Sequence, residues 1–169
     1  MHRRFVLVPL VALIALALAV TPAQADERSI INQYGQHPSY VLELEPHGLI
    51  GFGYPFDDSN NVGLGVRATI HLSNGFVKSI NDSVGIGFGF DFAPGGEGFF
   101  IVPVVLQWNF WLSTHWSVFG EPGLAFTNGP LSAVTPAVYV GGRFHFTERV
   151  ALTLRLGYPD VSVGVSFLL

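Results

Sequence analysis

The feature that most constrains this chain is a two-residue alternation that runs from Tyr40 to Leu169. Over residues 62–72, Val, Leu, Ala and Ile alternate with Gly, Arg, Thr and His, and over residues 84–92, Val, Ile and Phe alternate with Gly and Asp. Successive side chains of a strand point to opposite faces, so this period indicates strands with two unlike faces. No helical period is sustained, and we predict an all-β fold over residues 40–169.

Eight segments alternate in this way, and turn-forming residues separate most of them. A tilted strand needs about 9 to 11 residues to cross a bilayer, and the segments reach that length. Short connections make neighbouring strands antiparallel. The predicted fold is therefore a closed eight-stranded antiparallel up-and-down transmembrane β-barrel. Its short connections are expected at 54–61, 93–98, 113–115, 128–130, 147–149 and 159–160.

The placement of the charges distinguishes between kinds of barrel. Only 12% of the residues are charged, against about 25% in ordinary globular proteins. Each predicted strand has one uniformly apolar face and one face of small, polar and charged residues. The charges within the strands all fall on the second face, which suits a lumen filled by side chains. A soluble barrel or a two-sheet sandwich would instead carry many charges on a solvated face. We predict a polar network that plugs the lumen, formed by Glu43, Glu45, His47, Arg67, His71, Asp91, Glu121, Arg143, His145 and Arg155.

The N-terminus has the order of a secretory signal peptide. A basic start (residues 1–4) precedes an uncharged apolar stretch (residues 5–20) and an Ala-x-Ala site that ends at Ala25. The alternative is an uncleaved membrane anchor. We predict a signal peptide over residues 1–25, a polar lead-in segment over 26–39 and the barrel over 40–169.

Two further expectations concern special residues of the strands. Pro46, Pro103, Pro122 and Pro136 each remove a hydrogen-bond donor from a predicted strand, and we expect bulges or shortened strands there. Aromatic residues near strand ends are typical of the belts at membrane interfaces. The predicted belt residues are Tyr40, Phe92, Trp111, Trp116, Phe126, Phe146 and Tyr158.

This architecture resembles the small eight-stranded outer-membrane barrels of the OmpA/OmpX type. The resemblance covers residues 40–169 and includes the last strand, where Val163, Val165, Phe167 and Leu169 alternate as in the segment that the barrel-assembly machinery recognises. That family usually ends in an aromatic residue, whereas here the Phe comes two residues before the end. The resemblance implies a monomer in the bacterial outer membrane, with outer-membrane lipid and the assembly machinery as partners and both chain ends in the periplasm.

The expected function is a structural or surface role without catalysis, cofactor or metal. The histidines lack ligand-type spacing, the absence of Cys excludes thiol chemistry, and no basic patch favours nucleic acid. A passive small-solute channel or a ligand-binding barrel is the second hypothesis. The third is a lipid A-modifying enzyme, because residues 71–74 (His-Leu-Ser-Asn) are similar to the His-x-Ser-Asn stretch of outer-membrane lipid A deacylases, where the His and Ser serve as base and nucleophile.

Overall fold

The computed structural model describes residues 28–52, 61–94, 99–128 and 134–169. The predicted signal peptide and parts of three predicted turns lie outside these residues. Among the described residues, no helix is long and apolar enough to cross a membrane. The strands are β1 (Leu42–Gly51), β2 (Val62–Ser73), β3 (Asp82–Ala93), β4 (Phe99–Trp111), β5 (Trp116–Thr127), β6 (Val134–Thr147), β7 (Val150–Tyr158) and β8 (Asp160–Leu168).

The eight strands form a closed barrel in which each strand pairs with its sequence neighbours and β1 pairs with β8. All pairs are antiparallel, as the register of β1 with β2 and of β1 with β8 illustrates. The predicted fold class is confirmed. We call the end where β1 begins and β8 ends the terminal end, and the opposite end the distal end.

The two faces of the wall differ as the alternation predicts. In β1 to β7 the apolar side chains that point outward lie at even-numbered positions, and in β8 they lie at odd-numbered positions. Leu64 and Leu154, for example, are 72% and 48% exposed. The charged side chains of the intervening positions point inward, and Arg155 is fully buried. Interior residues of small barrels are normally packed side chains, so the closed wall brings the chain's strand charges together in one filled lumen.

The expectation of bulges or shortened strands at the prolines is wrong for the described strands. Pairing of β1 with β8 is interrupted beside Pro46 and resumes at His47 in the same register, and β3 with β4 behaves in the same way beside Pro103. An N–H group points toward only one neighbouring strand, so a proline removes a bond from one ladder and leaves the other intact. The register shifts occur instead near the terminal end, after His71 and after His145.

Gly123 and Gly120 lie on the same strand but differ in the space around them. A Cβ atom on Gly123 would collide with the carbonyl oxygen of Val104 and the Cα atom of Val105, whereas one on Gly120 would meet nothing within 4 Å. We expect Gly123→Ala to lower the free energy of unfolding by about 1–3 kcal/mol through overpacking. Gly120→Ala is the matched control and should be neutral or slightly stabilising. Urea unfolding of the refolded barrel checks both, and equal midpoints would contradict the expectation.

Candidate functional site

The lumen of the described barrel is filled along its length by three groups of side chains. Near the distal end lies an apolar cluster, and at the terminal end lies a second one that includes residues before β1. A buried network of charged groups lies between the two clusters, and its distal part lies beside the distal cluster. The distal cluster consists of Leu49, Ala93, Ile101, Val105, Ala125, Ala137 and Tyr139. The terminal cluster consists of Ile30, Tyr40, Trp111 and Leu168.

Arg155 is the centre of the ion-pair network. Its Nη1 and Nη2 atoms donate to the two carboxylate oxygens of Glu45 at 2.7 and 3.0 Å, and its Nε atom donates to Glu121 Oε2 at 2.8 Å. Arg67 Nη1 donates to the same Glu121 oxygen at 3.2 Å, and Gln107 Nε2 donates to the other at 2.9 Å. Charge-assisted bonds of this kind are among the strongest hydrogen bonds in proteins, and here they connect five strands (β1, β2, β4, β5 and β7) across the lumen.

A second fork lies closer to the terminal end. Arg143 Nε and Nη2 donate to the two oxygens of Glu43 at 3.0 Å each, and Nη1 donates to Asn109 Oδ1 at 2.7 Å. The Ser166 hydroxyl lies 2.7 Å from Glu43 Oε1 and 3.3 Å from Glu45 Oε2. Ser166 therefore connects the two forks, and the network is continuous from Glu43 to Glu121.

Phe119 lies between the two forks and was not identified from the sequence. Its ring centroid is 4.2 Å from Arg143 Cζ and 5.2 Å from Arg155 Cζ. Guanidinium groups are attracted to aromatic faces, so the ring stabilises both cations while it separates them. Its position midway between Ser117 and Glu121 on the inner face was the available signal, although an aromatic residue on a mostly polar face gave no hint of its partners.

The distal part of the network contains His47, Asp91 and a residue that the sequence interpretation missed. His47 Nε2 lies 2.8 Å from Asp91 Oδ1, and Asp91 Oδ2 lies 3.5 Å from Arg67 Nη2. Asp160 was assigned to a turn, but it begins β8 and accepts a 2.9 Å bond from the Tyr139 hydroxyl inside the lumen. The inner-face spacing of Ser162, Gly164 and Ser166 extends back to Asp160, which is the signal that could have found it.

The two remaining predicted histidines lie at the terminal end. His145 is buried and its Nε2 atom lies 3.0 Å from the Ser117 hydroxyl oxygen, while its ring packs 4.8 Å from that of Trp111. His71 differs from the expectation, because it is half-exposed at the rim and contacts Asn74 Oδ1 at 2.9 Å rather than a lumen carboxylate. The register shift that follows His71 ends the regular inner face there.

Two of the predicted belt aromatics point into the barrel instead. Trp111 is 1% exposed because it shares the inner face of β4 with Gln107 and Asn109, and Tyr40 is 8% exposed because it precedes β1 and does not follow its alternation. The other predicted belt residues lie on the outer surface near strand ends, as expected. They are Phe92, Phe126 and Tyr158 at the distal end, and Trp116 and Phe146 at the terminal end.

The geometry offers no site for a metal among the described residues, where no three His, Asp or Glu side chains are arranged to hold an ion. The His-Leu-Ser-Asn stretch lies at the terminal rim, with the His71 ring packed 5.1 Å from that of Tyr40. The network therefore has the character of a filled core made of ion pairs. Its chemistry is the mutual neutralisation of three guanidinium groups by carboxylates.

Comparisons with known proteins place the fold. No family model matches the chain, and no curated protein matches it. A de novo designed barrel, TMB2.3, solved by solution NMR, is 13% identical with a TM-score of 0.57 over 80% of this chain and 98% of that chain. A structure from the de novo design of transmembrane β-barrels is 14% identical with a TM-score of 0.52, over 75% and 95% of the two chains.

A natural protein has the same architecture. The outer-membrane protein Ail of Yersinia pestis, in a phospholipid bilayer nanodisc, is 10% identical with a TM-score of 0.51, over 78% of this chain and 100% of that chain. At these identities the likeness is one of fold. The chain thus has the closed eight-stranded architecture of small transmembrane barrels.

Proposed function

We propose that this protein is an integral outer-membrane barrel with a structural or surface role and a lumen closed by its ion-pair network. The observation that carries the proposal is the distribution of side chains over the two faces of the barrel wall, which is the reverse of that in a soluble protein. Apolar side chains such as Leu64 and Leu154 cover the outside, while Arg67, Arg143 and Arg155 are buried inside. A hydrocarbon solvent favours this distribution, because a closed barrel satisfies every backbone group internally and an outward charge is costly.

The contents of the lumen favour a closed barrel over the second hypothesis, a passive channel or ligand-binding barrel. A solute that passed along the axis would have to displace the distal cluster around Leu49 and Ile101, then both arginine forks, then the terminal cluster. Breaking a buried pair costs about 3–5 kcal/mol when one partner is left unpaired. An open path for solutes along the barrel axis is therefore unfavourable.

We also propose that the protein is exported to the outer membrane. The shared fold with Ail, which is an outer-membrane protein, supports an outer-membrane location. The predicted signal peptide and the alternation of the last strand support export and recognition by the assembly machinery.

We propose no catalytic role. The lipid A-modifying hypothesis is tested separately with His71→Ala and Ser73→Ala, since loss of a measured lipid A deacylation in both variants would establish it.

Two measurements test the proposal together. The full-length protein, expressed in a Gram-negative host and separated by membrane fractionation, should be found in the outer membrane and should migrate differently on gels before and after boiling. The purified barrel should show no discrete openings in planar bilayers, with a general porin as the positive control. Recovery from the soluble periplasmic fraction would overturn the membrane location, and reproducible single-channel steps would overturn the closed lumen in favour of the channel.

A further inference from the structure

The segment before β1, residues 28–40, crosses the mouth of the barrel at the terminal end. Ser29 forms a β-bridge with Ser113, just after β4, and the chain enters the wall at Leu42 in β1. The terminal cluster joins Trp111 of β4 to Leu168 of β8, which lie on opposite sides of the eight-stranded barrel. Since these inward-facing residues share one cluster with Ile30 and Tyr40, the segment closes the opening between them.

Backbone hydrogen bonds hold the segment in place. Ile30 N donates to the Leu112 carbonyl at 3.0 Å, and the Ile31 carbonyl accepts from Asn81 N at 2.7 Å. Asn81 is fully buried, its side-chain Nδ2 atom donates to the Gln36 carbonyl at 3.1 Å, and its own carbonyl accepts from Trp111 N at 2.9 Å. Asn81 therefore links the segment to the ends of both β3 and β4.

Apolar and aromatic contacts complete the closure. Ile30 is 7% exposed, whereas its neighbours Ser29 and Ile31 are both exposed. The His37 ring stacks on the indole of Trp111, with centroids 5.2 Å apart and planes 11° from parallel. The Trp111 ring also packs 4.8 Å from the ring of His145, which contacts Ser117. The stack thus separates the outside from the polar residues of the lumen.

We propose that residues 28–40 form a releasable seal over the terminal mouth, which keeps water from the polar layer of the lumen while the His37 ring is uncharged. This inference needs the barrel fold but not the outer-membrane location. The segment forms no strand of the barrel wall and is held by a few contacts, so it is able to open without unfolding the barrel, as weakly held segments of proteins commonly do.

The surroundings of His37 give the direction of its response to pH. Burial is the largest influence and lowers the pKa of His37 below its usual 6.5, and the neighbouring His71 from β2 acts in the same direction. The Pro38 carbonyl and Asp82 from β3 oppose it. Tyr40 stays neutral, since burial raises its pKa to about 12. Because the open segment binds a proton more readily, docking is strongest above pH 6.5 and weakens as the pH falls below that value.

The chain contains no cysteine, so single-cysteine reporters are specific. Ser117→Cys places a thiol in the polar layer behind the seal, and Thr114→Cys places one in the exposed turn nearby. The rate of reaction with a small charged thiol reagent is measured on the full-length barrel refolded in detergent. The ratio of the two rates removes the effect of pH that is common to the two thiols. We expect Ser117→Cys to react at least about tenfold more slowly at pH 7.5.

Matched variants separate the seal from the rest of the barrel. Ile30→Asp should raise the rate ratio about tenfold, which corresponds to about 1.4 kcal/mol, whereas Ile31→Asp, at the exposed neighbouring position, should leave it unchanged. Lowering the pH to 5 should raise the ratio with native His37 but not with His37→Phe, which keeps the aromatic stack and has no titratable nitrogen. If Ile30→Asp fails to fold, the pH comparison still decides the proposal.

Three outcomes would overturn the inference. Equal reactivity of the two thiols at pH 7.5 would show that the mouth is open. Slow labelling that persists with Ile30→Asp in a folded barrel would show that the segment does not protect the lumen. A pH response that is retained by His37→Phe but lost in His71→Phe would show that His71, and not His37, controls the seal.

Discussion

Replacement of Arg155 by methionine is expected to lower the free energy of unfolding by about 3–5 kcal/mol, the range seen when one partner of a buried pair is removed. Arg155 is fully buried and neutralises two carboxylates at once, with contacts of 2.7 Å to Glu45 and 2.8 Å to Glu121. Methionine fills a similar volume but leaves Glu45 without its fork and Glu121 with weaker neutralisation from Arg67 at 3.2 Å. Urea titration of the refolded barrel, followed by its heat-modifiable gel shift, measures the loss.

The control is Arg149→Met, which removes the same charge from an exposed turn. Exposed charges contribute about 0–1 kcal/mol, so this variant should unfold close to the native midpoint. A double variant that combines Arg155→Met with Glu45→Gln should recover much of the loss, because Glu121 keeps Arg67 as its partner and the cost comes from uncompensated buried charge. An effect of Arg155→Met no larger than that of Arg149→Met would show that water enters the lumen and solvates the carboxylates.

The inward phase of each strand was predictable from sequence, but the pairing inside the lumen was not. The alternation places Glu45 and Arg155 on the inner face of β1 and β7, and their burial follows from barrel closure. Their partnership joins residues 110 positions apart, and it depends on how far the strands are staggered around the barrel. Stagger is a property of the whole closed sheet, and the two-residue alternation within each strand does not determine it.

The remaining misinterpretations have local physical causes. Asp160 follows a proline and therefore looked like a turn residue, although its phase with Ser162 places it in the lumen. Trp111 looked like a belt residue by type, but its position in the alternation places it inside. The seal could not be foreseen, because residues 28–40 have no period and their docking depends on Ile30 and on a stack between His37 and Trp111, which are far apart in the chain.

A charge placed on the outer face distinguishes a hydrocarbon environment from water more directly than the fold does. Leu154 lies in the middle of β7 and is half-exposed on the outside, and Tyr158 ends the same strand at the distal rim. In a bilayer, Leu154→Arg should cost about 2–4 kcal/mol, because arginine is most unfavourable at the midplane, whereas Tyr158→Arg should cost about 0–1 kcal/mol near the interface. In water, both arginines would be solvated and the difference would largely disappear.

The measurement is the free energy of folding of each variant into phosphatidylcholine vesicles, by reversible denaturant titration. Leu154→Ala, which loses the same apolar contact without adding charge, separates the cost of the charge from that of the lost side chain. The expected order of stability is native, then Tyr158→Arg and Leu154→Ala, then Leu154→Arg well below them. If the two arginine variants were equally stable in vesicles, the even-numbered face of β7 would not be in contact with lipid, and the membrane-spanning assignment of the barrel would have to be abandoned.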